Sequence, residues 1–310
     1  MDAVAMRQLT AILLWLAAGA AFAHDVEEEH VAREALQWGA EPWVLACLAL
    51  SLLLYAVGAW RLWPRTRQSR PRMAKQVACF GAGWITLVLA LASPLDPAGS
   101  LAFSAHMVQH ELLMIIAAPL MVLGRPLGAW VWALPPSWRV GVGAATRARP
   151  AALVWNAITR PLAAWMLHFA ALWLWHVPAL FQYALRNNGI HALQHASFLF
   201  TALLFWWAVL GKQGLHASRG ASIIYLFSTM MHTGALGALF TMSETVWYPV
   251  YGHSALAFGL SALEDQQLGG LIMWIPGGLA YVAAGLVLGA GWLAPPRPSV
   301  RALVAQGADR

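Results

Sequence analysis

Two copies of one five-residue phrase stand in the chain, HMVQH from His106 to His110 and HALQH from His191 to His195. Residues four apart share one face of a helix, about 6 Å apart along its axis. Two imidazoles so placed suit a pair of metal ligands or the axial ligation of a cofactor. Imidazole accepts copper, zinc, iron and nickel, and added thioether favours Cu(I). Methionines 107, 114, 230, 231, 242 and 273 are near enough in sequence to supply it, although packing is the ordinary role of such residues. Several other chemistries are excluded. After His110-Glu111 the second zincin position holds Met114, so HExxH is missing, and neither a glycine-rich phosphate loop nor a GxSxG elbow occurs. Cys47 and Cys79 form no CxxC and read as packing residues.

Both phrases open apolar runs, so the elements that must position them are membrane helices. The chain has 60% hydrophobic and 10% charged residues, against about 25% charged in soluble domains, and its mean hydropathy is +0.60. Residues 1–23 read as a cleavable signal peptide: Arg7, an apolar stretch from Leu9 to Ala21, then Ala21-Phe22-Ala23 as a small-x-small cleavage site. An uncleaved first helix is the alternative. An acidic periplasmic segment, 24–42, precedes a transmembrane domain over 43–292 and a cytoplasmic tail, 293–310. About 20 apolar residues cross the hydrocarbon core, and seven runs meet that length: 43–62, 75–93, 104–123, 161–180, 191–210, 221–241 and 267–292. The expected fold class is therefore all-α, a polytopic bundle of seven transmembrane helices.

Charge orients the bundle. Arg61, Arg65, Arg67, Arg70, Arg72 and Lys75 follow the first span, and Arg125, Arg139, Arg147, Arg149 and Arg160 follow the third. Basic loops lie on the cytoplasmic side, which puts the N-terminus outside and the C-terminus in the cytoplasm. The net charge of +6 is then a topology signal, and no nucleic-acid partner is needed to explain it. Tryptophans 38, 43, 60, 63, 130, 132, 138 and 247 fall near span ends as interfacial anchors facing lipid. The proline-broken connection from Arg125 to Pro161 reads as short helices along the inner surface.

With this topology the histidines sort by depth. The third and fifth spans run inward, so His106, His110, His191 and His195 share the outer leaflet, and the outward-running fourth brings His176 to the same layer. Glu111 adjoins His110, and Asp265 stands at the outer mouth of the seventh span. His168 and His232 form a lower tier near the midplane, where an ionisable group faces a cavity, a partner or a ligand, or bonds helix to helix. The inner leaflet is poor in polar side chains, which disfavours a transport path through it. The site is expected to open outward.

Four ordered blocks carry a likeness to a known family. They are HMVQHELLMIIAAPLMVLGRPL from His106 to Leu127, TRPLAAW with the downstream WHVPALFQYAL, HALQHASFLFTALLFWWAVLG, and DQQLGGLIMWIPGG from Asp265 to Gly278. From about Asp96 to Gly278 the chain resembles the seven-span CtaG-type cytochrome c oxidase assembly factors of bacterial plasma membranes. Gln194 stands where that family often has Glu, so no carboxylate role carries over there. The resemblance implies a nonenzymatic role in maturing respiratory cytochrome c oxidase, with copper handled for the oxidase's metal centres. Its partners would be oxidase subunits and a periplasmic copper chaperone. On this reading His106, His110, His191 and His195, with His176 as fifth, hold the metal; Glu111 and Asp265 orient imidazoles from behind. Two other readings stand beside it, a haem-binding membrane redox protein and a metal-free scaffold.

Overall fold

A computed structural model describes residues 38, 41–211, 219–252 and 254–293. The expected signal peptide, most of the acidic segment and the tail after residue 293 lie outside the described residues. Every regular element described is helical. In chain order these are α1 (Pro42–Leu62), α2 (Arg70–Leu91), α3 (Leu95–Leu101), α4 (Phe103–Glu111), α5 (Ala118–Gly124), α6 (Pro126–Ala133) and α7 (Pro136–Arg147). They continue with α8 (Arg149–Ile158), α9 (Pro161–Trp175), α10 (Pro178–Leu185), α11 (Asn188–Leu210), α12 (Arg219–Thr241) and α13 (Ala262–Leu293).

Five segments are long and apolar enough to cross a membrane, and a sixth arises if the bent pair α8–α9 is one span. The chain is a multi-pass membrane protein. Its lipid-facing surface shows the corresponding chemistry: Ile224, Leu286 and Val287 are 70%, 68% and 72% exposed, an apolar outer face that water would penalise and hydrocarbon accepts. The first segment, Pro42–Leu91, runs through a 3-10 turn, Trp63–Ser69, where Thr66 leaves helical geometry (φ −107°, ψ 29°). Its halves fold back on each other, with Tyr55 stacked on Phe80 at 3.6 Å and Trp84 Nε1–H donating to the Leu48 carbonyl at 3.0 Å.

The next segment matters most for the site. Between α4 and α5 the ladder widens into a π-helical stretch, Leu112–Ala117. Pro119 follows at the start of α5; it has no N–H to return to the preceding turn, a local cause for the break. Trp206 Nε1–H of α11 donates to the Met114 carbonyl at 2.9 Å, tying α11 to the widened turn. Helices α8 and α9 meet at a 68° bend, with Arg160 extended before Pro161.

The fourth apolar run, read from sequence as 161–180, is not one continuous helix. Helix α9 stops at Trp175, His176 lies at φ −90°, ψ 0°, and Val177 is extended ahead of Pro178, as proline demands of the residue before it. The connection expected to be short helices is indeed α6, α7 and α8. Helix α6 packs on α1 so closely that a Cβ on Gly58 would collide with the Ala129 carbonyl, and Arg61 Nη1 donates to the Ala133 carbonyl at 2.7 Å.

Helices α12 and α13 cross through glycines. A Cβ on Gly270 would lie 2.6 Å from both the Gly237 carbonyl oxygen and the Thr241 nitrogen. Close backbone approach of this kind is how membrane helices pack without a hydrophobic drive between them. Gly270→Val is expected to destabilise the bundle by about 1–3 kcal/mol, the cost of overpacking a tight contact. Gly289→Val, on the same helix with no atom within 4 Å of its Cβ, should change stability by less than about 0.5 kcal/mol. Thermal unfolding of both variants in detergent checks the pair; equal melting temperatures would contradict the crossing.

Candidate metal centre

Helices α4 and α11 each present one histidine pair to the other. Potential ligand atoms of His106, His191 and His195 all lie within 4.8 Å of one another. Two nitrogens on one ion are at most about 4.2 Å apart, twice a metal–imidazole bond. A small side-chain adjustment therefore separates this group from a three-ligand site. His110 and His176 stand around it: His110 is 4.3 Å from His106 and 5.2 Å from His195 between ring centroids, and His176 is 5.9 Å from His110. The layer of five imidazoles expected from depth alone is thus brought together, with three at ligand spacing and two beside them.

The rings are oriented from behind. His106 Nδ1 lies 3.2 Å from the Gly99 carbonyl, and His176 Nδ1 lies 2.6 Å from the Leu172 carbonyl. A carbonyl only accepts, so each Nδ1 carries the proton and each Nε2 keeps its lone pair. The Nε2 atoms of His106, His176, His191 and His195, and both nitrogens of His110, are buried without a hydrogen-bond partner. Unpaired buried polar atoms are costly and ask for an explanation. Here one ion would engage several at once.

Surrounding contacts fix the two phrases in place. Gln109 Nε2–H donates to the Ala90 carbonyl and to Asp96 Oδ1, both at 2.7 Å, which pins the first phrase to the end of α2 and to α3. Burial pushes the Asp96 carboxyl above its ordinary range, and the Gln109 bond holds it down. Asn187 accepts from the Ile190 N–H and caps α11 one turn before His195's partner His191. Trp175 Nε1–H donates to Ser197 Oγ at 2.7 Å, fastening the His176 end of α9 to α11.

The loop between α12 and α13 roofs the layer. Tyr248 O–H donates to the His176 carbonyl at 2.6 Å, and Tyr251 O–H donates to the Gly99 carbonyl at 3.0 Å, beside His106. Phe103 stacks on Tyr248 at 4.8 Å and meets Phe181 at 5.5 Å. His106, His110, His176 and His195 are buried, and only His191 is partly exposed. The open-mouthed site expected from sequence is narrower than that: an aromatic cover closes it, and His191 is its exposed edge.

Glu111 and Asp265 do not touch the imidazoles. One residue on from His110 is about 100° around the helix, and Glu111 faces α13, where a Cβ on Gly277 would lie 3.1 Å from its Oε2. Asp265 instead accepts from the N–H groups of Phe103 at 2.6 Å and Ser104 at 3.0 Å, and from Ser104 Oγ. It caps α4 from another helix, satisfying donors that begin a helix with no partner of their own. His168 bonds to Thr201 Oγ1 at 3.2 Å and packs on Phe205, while His232 packs on Phe169 and Trp165. Both belong to a separate tier; His168 is eight residues before His176, about 12 Å of helix rise. Met107 and Met273 are buried in the aromatic core with Phe103 and Tyr251 as packing residues.

Three participants escaped the sequence reading. Gly99 and Tyr251 hold the His106 ring, but neither has a spacing that announces the contact. Gln194 is fully buried beside His106, with its amide turned toward that ring. Its place inside the second phrase was the available signal.

No solved structure matches the chain. An uncharacterised protein of Mycobacterium bovis is 31% identical over 205 residues, covering 62% of this chain and 30% of the relative. An uncharacterised Mycobacterium leprae protein is 27% identical over 217 residues, 68% of this chain and 33% of the relative. The chain thus spans about a third of the length of the curated relatives it matches. The sequence profile of the cytochrome c oxidase caa3 assembly factors matches residues 53–294, which include α2 to α13 and all five imidazoles of the buried layer, and the chain belongs to that family.

Proposed function

We propose that this chain is a nonenzymatic assembly factor that receives copper at the His106–His191–His195 group and passes it to cytochrome c oxidase. Copper is cargo here. His110 and His176 stand close enough to take part as the ion moves, and His191, at the exposed edge, is where it would enter and leave. The protein crosses the bacterial inner membrane seven times, counting α1 and α2 separately and α8–α9 once. Its N-terminus is periplasmic and its C-terminus cytoplasmic, with oxidase subunits and a periplasmic copper chaperone as partners.

One observation carries the copper reading: ring nitrogens of His106, His191 and His195 converge from two helices, the Nε2 atoms of His191 and His195 are buried without a hydrogen-bond partner, and a carbonyl holds Nδ1 of His106. Histidines serving only as struts of a metal-free scaffold would be bonded helix to helix, as His168 is to Thr201. A haem needs room for a macrocycle between its axial rings. The imidazoles pack instead on Phe181 at 5.0 Å and Phe198 at 4.5 Å.

Deleting the chain is expected to lower oxidase activity in membranes, and the wild-type chain should restore it. The variant His106→Ala, His191→Ala, His195→Ala should not, although it reaches the membrane in equal amount. Full restoration by that variant would remove the copper role and leave the assembly role standing.

A further inference from the structure

On the face of α4 turned away from the imidazoles lies a cavity of about 350 Å³ between α4, the π-helical stretch and α13. Its wall includes Val108, Ile116, Leu268 and Ile272, and Phe258 closes one side. Positions 104, 108, 111 and 115 share this face, about half a helical turn from 106 and 110. The volume is that of a small-ligand site, and the lining is hydrocarbon with few polar groups.

Of those few groups, the Glu111 carboxyl keeps a free oxygen. Ser104 Oγ is bound to Asp265. Glu111 Oε2 is buried with no partner, a carboxyl within a membrane span that calls for one. Pro276, inside α13, also lines the cavity. Gly277 lets the Glu111 carboxyl lie against this same turn of α13, since its Cβ position is 3.1 Å from Oε2. One unpartnered carboxyl oxygen in an apolar chamber selects a molecule with a hydroxyl on a long hydrocarbon, since a hydroxyl can both donate and accept.

We propose that this cavity binds a long-chain membrane molecule headed by a hydroxyl, its hydrocarbon among Val108, Ile116 and Leu268 and its hydroxyl on the Glu111 carboxyl. The site is separate from the imidazole layer and does not depend on copper. An isoprenoid alcohol and a quinol have the same recognisable chemistry.

The full-length protein in detergent would be labelled with a photoreactive farnesol, and unlabelled farnesol, its hydrocarbon counterpart farnesene and ubiquinol would compete. Label should map to peptides containing residues 104–116 or 268–276, and farnesol should outcompete farnesene about tenfold, the worth of one or two hydrogen bonds. Glu111→Leu should remove that preference and Glu111→Gln, which keeps an acceptor oxygen, should retain it. Ile116, 40% exposed at the cavity wall, offers a second test: Ile116→Trp should fill the space and lose both ligands without lowering the melting temperature. Stronger competition by ubiquinol assigns the quinol, and the reverse assigns the alcohol. Equal competition by farnesene and farnesol in the wild type, or labelling elsewhere, overturns the proposal and leaves the carboxyl to water. Copper binding read in the same samples keeps this result apart from the imidazole site.

Discussion

Replacing His106 and His195 together by alanine is expected to abolish copper retention by the purified protein. Each belongs to the three-histidine group, and each comes from a different helix. Loss of even an outer-shell partner costs about 10–100-fold in metal affinity, so losing two direct ligands should cost about a hundredfold or more. His176→Ala should have a smaller effect, because its ring stands 5.9 Å from His110 and outside the group. His168→Ala should leave copper untouched, since that ring is bonded to Thr201 in the other tier. Metal analysis after dialysis against a competing chelator, with melting temperature as the folding control, separates these outcomes. Wild-type copper content in the double variant would end the assignment.

The second large effect concerns stability. Asp265→Leu removes the acceptor for the N–H groups of Phe103 and Ser104, both buried at the start of α4. A buried donor left without a partner costs about 1–3 kcal/mol, so two imply a loss of about 2–6 kcal/mol. Asp265→Asn keeps one carbonyl oxygen and should lose about half as much. Tryptophan fluorescence during denaturant unfolding in micelles measures both. Copper affinity should fall with Asp265→Leu even though the carboxylate touches no imidazole, because it sets the start of the helix that carries His106 and His110. Unchanged unfolding in Asp265→Leu would show that α4 is held by packing alone.

Legibility in the sequence followed the range of the interaction. Pairing of His106 with His110, and of His191 with His195, is a matter of helix periodicity, and the matched depth of the two pairs followed from apolar lengths and basic loops. Those are local quantities. Family motifs were equally plain, because they are strings. The break after Trp175 was readable in principle from Pro178 and the restriction it places on Val177, yet the continuous hydropathy across it concealed the stop. Glu111 shows the opposite limit. Adjacency to His110 pointed to a shared role, but a helix turns by about 100° per residue, and the two side chains look into different neighbours.

Asp265 and Tyr251 lay further from reach. They act at residues 103, 104, 99 and 106, through contacts between segments more than 140 positions apart. By itself the sequence determined the solvent of this protein, its helical class, its family and the five histidines of one layer, because composition, periodicity and motif are written along the chain. Only the tertiary structure decided which three imidazoles meet, which nitrogens are left unpaired, that an aromatic loop covers them and that Glu111 faces a separate cavity. The physical reason is that helix rotation and neighbour choice arise from side-chain packing across the bundle, and no local pattern encodes them.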